Sequence, residues 1–288
     1  MLMKLRQFLR KKKEKWRKRL MPLGNRLRLS CRWRLRRFHA PAVYSGKPDL
    51  IVSLTSYPPR FATLHFTVKS LLLQRLKPTR LILWIAHADA DLLPQKILDL
   101  QREGLEIRYC EDIKSYKKII PALESFPEAI IVTADDDVYY WPDWLAELVA
   151  AWRQHPQDVI AHRLRRIRLE GDAIRPYKEW ALEVTDQSAS PVNFATGIGG
   201  VLYPPGCFHP AVLEREKFMQ LCPEADDVWL YWMVRLNGRL VRHSGTKHVP
   251  YPWRGSQSTS LWKKNRERND AQIERMISVF GEPWMDRA

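Results

Sequence analysis

The chain has 288 residues, of which 45% are hydrophobic, so it is long enough to bury one large α/β core or two small ones. Its net charge of +16 is uneven: residues 1–40 contain 16 Lys or Arg and one acidic residue, whereas residues 41–288 contain 32 basic and 31 acidic residues. The four Cys lack metal-ligand spacing, no apolar run reaches the roughly 18–20 residues that span a bilayer, and no secretory signal is recognisable. These features argue against a disulfide framework, a zinc site and a membrane span, and we expect a cytoplasmic protein with reduced thiols.

Residues 1–40 are predicted to form a basic amphipathic arm, which Pro22 and Gly24 should kink or break. Such a segment is typical of peripheral attachment to an anionic membrane surface, here the inner face of the cell membrane. Nucleic-acid phosphates would also attract it, and a disordered basic tail is a further alternative. The apolar stripe favours the membrane, because phosphate binding alone does not require it, and no specific nucleic acid is expected. The stripe consists of Leu2, Leu5, Leu9, Trp16, Leu20, Leu23 and Leu27.

A linker at 41–48 is followed by four predicted strands, at 49–55, 80–86, 105–110 and 129–133. Helices are predicted between and after them, ending at Gln74 and spanning 91–102, 117–125 and 142–154. This alternation predicts an α/β fold with a mostly parallel sheet flanked by helices. The first strand is not followed by a G-x-G-x-x-G fingerprint, and the chain contains no Walker A motif. The sequence therefore argues against a dinucleotide dehydrogenase and a P-loop enzyme.

The fourth predicted strand runs directly into Asp135, Asp136 and Asp137. The strand is short and β-branched, as expected of a strand that is buried on both faces. Because unpaired carboxylates are costly in an apolar interior, the three Asp should lie at the carboxyl edge of the sheet, where α/β folds bind ligands. Their mutual repulsion requires a cation or a basic partner. They predict a divalent-metal site for a phosphorylated substrate, and the alternative is a solvated acidic turn that caps the next helix.

Residues 156–260 do not continue the regular alternation of strands and helices. A charged terminal helix is predicted within 261–288. A basic strand-like segment at 159–169 precedes an irregular polar stretch at 173–195. A glycine-rich loop at 196–200 then runs into a short strand. A helix at 226–236 begins with the acidic pair Asp226 and Asp227, and a short strand at 239–243 follows it.

The chain resembles the glycosyltransferases of GT-A (Rossmann-like) fold. The resemblance lies in the order of three features: an acidic triplet at a strand end, a glycine-rich loop and an acidic pair at a helix start. More narrowly, residues 49–245 are similar to bacterial transferases of capsule, O-antigen and lipopolysaccharide gene clusters. The resemblance implies a nucleotide-sugar-binding half at 49–155 and an acceptor-binding, catalytic half at 156–260. It also implies transfer of a sugar from a nucleotide sugar, with UDP favoured, to a hydroxyl of a cell-envelope glycan or lipid-linked saccharide, with inversion.

The resemblance assigns the acidic triplet to a divalent cation, Mn²⁺ or Mg²⁺. Asp135 and Asp137 match the outer acids of the D-x-D motif, whose oxygens suit these hard cations, and Asp136 would contact the ribose or the donor sugar. The register of three consecutive Asp is ambiguous, so Asp136 and Asp137 could share the metal instead. His243 is a further metal-ligand candidate, and His248 is another residue that could ligate metal or contact phosphate. A structural or surface His is the alternative for both.

Three groups of residues are expected to contact the nucleotide sugar. The first group, Thr55, Ser56, Tyr57 and Arg60, follows the first strand, where the family holds base and ribose; the alternative is a Pro-Pro turn with a solvated Arg. The second group, Asp112 and Lys117, follows the third strand, where the family often contacts uracil; the alternative is a structural ion pair. The third group, Gly197, Gly199 and Gly200, would let the backbone approach the donor sugar or the acceptor; the alternative is a tight turn without a ligand.

Asp226 and Asp227 match the acidic pair that supplies the general base in inverting members of the family. One carboxylate would take the proton of the acceptor hydroxyl as its oxygen attacks the anomeric carbon, and Asp227, the second of the pair, is the favoured base. Helix capping is the alternative for both, because Asp is favourable at a helix N-terminus.

Two other functions are alternatives. A nucleotidyltransferase acting on sugar phosphates shares the α/β half and the metal acids, but normally carries a Gly-rich Arg/Lys signature after the first strand, which residues 56–60 lack. A non-enzymatic nucleic-acid-binding protein would use the basic arm, but it leaves the acidic clusters and the neutral body unexplained.

Overall fold

The computed structural model describes residues 21, 23–38, 40–256 and 261–285, so the first half of the predicted basic arm lies outside the described residues. The strands are β1 (Ala42–Val43), β2 (Leu50–Thr55), β3 (Leu76–Lys77), β4 (Arg80–Ala86), β5 (Leu105–Cys110), β6 (Ile130–Ala134), β7 (Val159–Ala161), β8 (Leu164–Arg166), β9 (Leu169–Glu170), β10 (Ala173–Ile174), β11 (Ala181–Val184), β12 (Asn193–Ala195), β13 (Val201–Tyr203) and β14 (Val241–His243). The α-helices are α1 (residues 23–34), α2 (Phe61–Leu72), α3 (Gln95–Leu98), α4 (Ile120–Ser125), α5 (Trp144–Gln154), α6 (Arg215–Leu221), α7 (Asp226–Leu236) and α8 (Leu261–Phe280). Short 3₁₀ helices span Arg36–Phe38, Pro58–Arg60, His87–Leu92, Asp99–Glu103, Lys114–Lys118, Tyr177–Glu179, Gly197–Gly199 and Pro210–Leu213.

A seven-stranded sheet with the strand order β14-β7-β13-β6-β2-β4-β5 forms the centre of the fold. The pairs β2/β4, β2/β6, β4/β5 and β7/β14 are parallel, whereas β13 runs antiparallel to both β6 and β7. The predicted α/β fold with a mostly parallel sheet is therefore confirmed. Strands from both predicted halves join this one sheet, since β7, β13 and β14 come from residues after 155.

The central strands are buried on both faces, as their apolar, β-branched sequences predict. Every residue of β6 is buried, as are all residues of β2 except its last, Thr55. Helix α5 packs through one stripe, with Trp144, Leu145, Leu148 and Val149 buried. In contrast, α7 is buried nearly all round, which is why its sequence is so rich in Trp and aliphatic residues.

Three predicted segments differ from the structure. The helix predicted at 117–125 is a 3₁₀ helix, Lys114–Lys118, followed by the short helix α4. The helix predicted at 91–102 is divided into two 3₁₀ turns and the four-residue α3, because Pro94 adopts an extended conformation directly before α3. The strand predicted at 159–169 is also divided. Its first part, β7, belongs to the central sheet, whereas β8 pairs antiparallel with β11 and β12 in a separate three-stranded sheet.

The carboxyl edge of the parallel strands gathers the segments that carry the predicted site. Residues after β2, β5 and β6 all emerge at this edge. Because β13 is antiparallel to β6, with Val201 opposite Thr133, its amino end and the preceding glycine-rich loop reach the same edge. Helix α7 adds its first turn there, as the contacts of Asp226 and Asp227 described below show.

The second half of the predicted arm packs on the domain as helix α1. Leu29 is 1% exposed and lies in a small apolar cluster with Leu73 and Trp253. Arg36 forms an ion pair with Glu103, with its Nη2 2.5 Å from Glu103 Oε1. None of the helices in the described parts of the chain combines the length and apolar character that a membrane crossing requires.

Candidate functional site

The acidic triplet follows β6, and its three carboxylates point to two different basic residues. Asp136 and Asp137 face Arg60, which comes from the turn after β2. Asp135 faces Lys118, which comes from the 3₁₀ helix after β5. The two residues predicted as a metal pair, Asp135 and Asp137, are therefore paired with separate cations of the protein itself.

Arg60 is the cationic partner of Asp136 and Asp137. Its Nη1 lies 2.5 Å from Asp137 Oδ2 and 3.3 Å from Asp136 Oδ1, and all three side chains are at most 13% exposed. The Ser56 hydroxyl donates to Asp136 Oδ2 over 2.6 Å. Burial nevertheless raises the pKa of Asp136 to about 7, although Arg60 and the hydrogen bond from Ser56 oppose this rise. Burial likewise raises the pKa of Asp137, again against the effect of Arg60.

Lys118 connects the triplet with the acidic pair of α7. Its Nζ lies 3.1 Å from Asp135 Oδ1 and 2.9 Å from Asp226 Oδ2, and its side chain is 8% exposed. Burial alone would lower the pKa of Lys118, but Asp135, Asp226 and Asp227 raise it well above its ordinary value. Lys118 is therefore a permanently charged ammonium group inside an acidic cluster.

Asp227 also lies near Lys118 and is held by the glycine-rich loop. Its two oxygens accept from the Gly197 N–H over 3.1 and 3.3 Å. Burial raises the pKa of Asp227 to about 7, the charge of Asp226 adds to this rise, and Lys118 opposes it. A carboxylate with a pKa near neutrality can accept a proton from a substrate and release it again at physiological pH.

Each glycine of the loop has a structural reason in its surroundings. A Cβ at Gly197 would lie 2.9 Å from Lys118 Nζ, 3.2 Å from Asp227 Oδ1 and 3.5 Å from Asp135 Oδ1, so the three charged groups converge on this backbone position. Gly200 has a φ of +93°, and a Cβ there would lie 2.4 Å from the Trp144 ring. A Cβ at Gly199 would lie 2.8 Å from the Cβ of Arg163. Gly197 thus faces the charged site, whereas Gly199 and Gly200 are explained by packing.

The residues predicted to contact the base and ribose flank the acidic cluster along the same edge. The Thr55 hydroxyl donates to the Trp84 carbonyl, so it is engaged within the sheet. Ser56 and Tyr57 follow it, with Ser56 buried against Asp136 and Tyr57 half-buried. After β5, Lys117 is buried and forms an ion pair with Asp112, whose side chain is 62% exposed, and this partner lowers the pKa of Asp112.

His243 and His248 lie in a different environment. His243 is 2% exposed, and its Nε2 is 3.1 Å from the His162 carbonyl oxygen while its Nδ1 accepts from the Gly245 N–H. Both ring nitrogens are therefore engaged away from the acidic triplet. The His248 ring stacks on Trp141, with 3.7 Å between the ring centroids. Both His line a small cleft with Arg163 and Lys247.

The resemblance implies a divalent cation, and the residues of the site can be tested for their fit to one. Within the described ranges, no group of three or more His, Cys, Asp or Glu side chains is arranged to hold a metal ion. Mg²⁺, however, is usually bound through one or two carboxylates together with substrate phosphates. Asp135 suits that arrangement, since its side chain is 29% exposed while Asp136 and Asp137 are 13% and 8% exposed. The site therefore fits a cation shared between Asp135 and a substrate diphosphate.

Two residues that organise the site, Lys118 and Tyr140, are not among those predicted from the sequence. The prediction named Lys117, the neighbour of Lys118. The Tyr140 hydroxyl accepts from the Asp135 N–H over 2.7 Å, and it fixes the backbone where the strand ends. The lysine pair at 117–118 after the third strand was the available signal, because two adjacent Lys in one 3₁₀ turn must point in different directions.

Comparison with protein-family models gives no match, and comparison with curated protein sequences gives none either. Among solved structures, S. aureus TarS 1-349 has a TM-score of 0.45 and 15% identity, covering 81% of this chain and 72% of that one. GalNAc-T7 with UDP, GalNAc and Mn²⁺ has a TM-score of 0.44 and 15% identity, covering 80% of this chain but 48% of that one. The 4-diphosphocytidyl-2C-methyl-D-erythritol synthase of Anaerococcus prevotii has a TM-score of 0.41 and 13% identity, covering 80% and 96%. Similarities this distant support no conclusion about function, so the function is inferred from the residues of this chain.

Proposed function

We propose that the protein is a metal-dependent glycosyltransferase of GT-A fold. It transfers a sugar from a nucleotide sugar, with UDP favoured, to a hydroxyl of a cell-envelope glycan or lipid-linked saccharide. The observation that supports this most is the convergence of Asp135, Lys118 and Asp227 on Gly197 at the carboxyl edge of the sheet. A site of this kind offers an anchor for a diphosphate and a proton acceptor within one cluster.

Asp227 is the proposed general base. The Gly197 N–H fixes the orientation of its carboxylate, and the pKa of about 7 gives a useful fraction of the ionised form at neutral pH. It takes the proton of the acceptor hydroxyl as the oxygen of that hydroxyl attacks the anomeric carbon from the face opposite the leaving group. Inversion of configuration follows from this single displacement.

Lys118 and Asp135 form the donor side of the proposed site. Lys118 holds Asp135 and Asp226 in place and keeps part of the Asp227 population ionised, because its charge lowers the pKa of Asp227. Asp135 would hold the divalent cation together with the donor diphosphate. When bound, this cation supplies positive charge that stabilises the nucleoside diphosphate leaving group.

The nucleoside is proposed to bind along the edge between the turn after β2 and the segment after β5. Tyr57 offers a ring for stacking on the base, and Asp112 offers an exposed carboxylate for its donor groups. Arg60 is already engaged by Asp136 and Asp137, so its proposed role is to fix the shape of the acidic turn. The acceptor would approach from the side of α7, and the basic arm at 1–40 would keep the protein at the inner face of the cell membrane.

Thermal-shift measurements with a panel of nucleotide sugars, with and without Mn²⁺, test this function. A ligand that binds the native state raises the apparent stability by RT ln(1 + [L]/Kd), which is about 2.7 kcal/mol at a hundredfold excess over Kd. We expect a nucleotide sugar to raise the melting temperature of the wild type, and Mn²⁺ to increase this shift.

Three variants sharpen the test. Asp135→Asn should lose the part of the shift that depends on Mn²⁺, while Asp227→Asn should keep the whole shift because its carboxylate acts on the acceptor. Asp143→Asn, which removes an exposed carboxylate paired with Arg75, is the matched control and should behave as the wild type. The proposal is contradicted if no nucleotide sugar shifts the melting temperature, or if a nucleoside triphosphate with a sugar phosphate shifts it instead.

A further inference from the structure

Helix α1 has two faces of opposite character. Its inner face is fixed to the domain by Leu29, by the Arg36–Glu103 ion pair and by Arg32, whose Nη2 donates to the Leu73 carbonyl over 2.6 Å. Asn25 is 3% exposed on the same side. These contacts define the rotation of the helix about its axis, so the residues on its other side have a fixed direction relative to the domain.

The outer face carries large apolar side chains that no other described part of the chain covers. Leu23, Leu27 and Leu35 are 45%, 70% and 60% exposed, and Phe38 in the following 3₁₀ turn is 87% exposed. At about 100° per residue, Leu23 and Leu27 lie on the side of α1 opposite Leu29, and Leu35 and Phe38 extend the exposed apolar surface beyond its carboxyl end. Four large apolar residues on one exposed surface are more than the isolated surface leucines that need no explanation.

The charges along this surface are of one sign. Arg28 and Arg34 are exposed beside the apolar side chains, in contrast to Arg32 and Arg36, whose guanidinium groups are bound to the domain. No acidic residue occurs in the sequence between positions 15 and 48. A second copy that met this face through its own α1 would therefore present like charges, whereas a surface of anionic lipid presents the opposite charge.

We propose that the outer face of α1, formed by Leu23, Leu27, Leu35 and Phe38 with Arg28 and Arg34, rests on an anionic lipid surface. The apolar side chains enter the headgroup region, and the arginines bind lipid phosphates and carboxylates. The notion of a membrane-bound acceptor rests on the function proposed above, but the lipid contact itself does not.

The contact also orients the candidate site. At the amino end of α1, Arg26 Nη2 lies 3.4 Å from the Arg254 carbonyl oxygen. Two residues further on, the Ser256 hydroxyl lies 3.4 Å from Asp137 Oδ2. The amino end of the helix is thus joined through this segment to the acidic edge of the sheet. A lipid-bound α1 would therefore hold the acidic edge in a fixed orientation relative to the lipid surface.

Co-sedimentation of the full chain with vesicles tests the proposal. The wild type should bind vesicles of equimolar phosphatidylcholine and phosphatidylserine, and bind pure phosphatidylcholine much less. The triple substitution Leu27→Gln, Leu35→Gln and Phe38→Gln should weaken binding at least about tenfold, because it removes the buried apolar area. Replacing Arg28 and Arg34 with Gln should weaken it about fivefold for each residue at low salt.

Two further measurements distinguish binding through this face from nonspecific binding through other exposed apolar residues. Leu182→Gln changes a leucine that is 58% exposed elsewhere in the domain and should leave vesicle binding unchanged. Cys31 is exposed on the outer side of α1, whereas Cys207 and Cys222 are buried. A polarity-sensitive fluorophore on Cys31, in a Cys110→Ser background, should shift to the blue with the anionic vesicles, and this readout needs no destabilising substitution.

The proposal is overturned if the wild type does not bind these vesicles, or if the triple variant binds as the wild type does. It is also overturned if the fluorophore on Cys31 does not respond, or if its response follows protein concentration without lipid, which would assign the face to a second copy. Hydrolysis of soluble nucleotide sugars is measured in parallel. A wild type that hydrolyses nucleotide sugars but does not bind the vesicles contradicts the lipid contact alone, and a wild type that binds the vesicles but hydrolyses no nucleotide sugar contradicts the enzymatic function alone.

Discussion

Replacing Lys118 with Met removes the charge that connects the acidic triplet with the acidic pair of α7 and keeps most of the side-chain volume. Lys118 is 8% exposed and lies 3.1 Å from Asp135 and 2.9 Å from Asp226. Breaking a buried ion pair by removing one partner typically costs about 3–5 kcal/mol, because it leaves uncompensated buried charge. We expect Lys118→Met to lower the free energy of unfolding by an amount in that range at neutral pH.

The pH dependence of this loss identifies its cause. Asp227 has a folded-state pKa of about 7, which Lys118 holds down, so removing Lys118 raises this pKa further. A folded-state pKa above the unfolded value means that stability is lost as pH rises towards the folded pKa. In the variant this loss continues above about pH 7, so the difference from the wild type should grow by up to about 1.4 kcal/mol per pH unit. Urea unfolding followed by circular dichroism at several pH values measures it.

Lys117→Met is the matched control, because Lys117 is an equally buried neighbour whose partner, Asp112, is 62% exposed. Water can solvate that carboxylate when the lysine is lost, so its removal should cost less and show no comparable pH dependence. Equal losses for the two variants would refute the reasoning. A deficit in Lys118→Met that stays constant with pH would refute it as well.

Three further predictions concern the same edge of the sheet. Gly197→Ala should lower turnover more than tenfold, because its Cβ would lie 2.9 Å from Lys118 Nζ and 3.2 Å from Asp227 Oδ1 and would displace these charged groups. Gly200→Ala should destabilise the fold more, because its Cβ would lie 2.4 Å from the Trp144 ring at a φ of +93°. Steady-state assays and thermal melts on both variants separate these effects. Wild-type turnover should rise with pH up to about 7, where Asp227 ionises. Asp227→Asn should lower turnover by about 10²–10⁴-fold and abolish its rise with pH. A pH profile that the substitution leaves unchanged would exclude Asp227 as the general base. Burial lowers the pKa of His162 to about 3, so the unfolded chain takes up a proton near pH 6.5 before the folded chain does. Stability should therefore fall by up to about 1.4 kcal/mol per pH unit below that value, and urea unfolding of His162→Gln should show a shallower decline.

The positions of the acids were predictable from the sequence because local patterns determine them. Asp135 to Asp137 follow a buried, β-branched strand, and burial forces such carboxylates to its end. The acidic pair at 226–227 begins a helix whose predicted bounds, Asp226–Leu236, agree with the structure. Strands Arg80–Ala86 and Leu105–Cys110 also have the predicted bounds, since each is a short apolar run between turn residues.

The pairing of each acid with its cation was not predictable, because it depends on segments that are distant in sequence. Arg60 comes from a turn about 76 residues before Asp136, and nothing local to the triplet indicates which carboxylate it meets. Lys118 and Lys117 are adjacent, and only the packing of the 3₁₀ turn decides which of them enters the acidic cluster. The metal role of Asp137 and His243 stays a prediction, and the structure pairs Asp137 with Arg60 and His243 with the His162 carbonyl.

Release of nucleoside diphosphate from nucleotide sugars in the presence of Mn²⁺ tests the proposed function most directly. The wild type should release the diphosphate from at least one nucleotide sugar, faster when a saccharide acceptor is added, and Asp135→Asn should lose both rates. Asp227→Asn should lose the acceptor-dependent rate, and Asp143→Asn should keep both. The account is contradicted if the wild type releases no diphosphate from any nucleotide sugar, or if Asp135→Asn and Asp227→Asn are as active as the wild type.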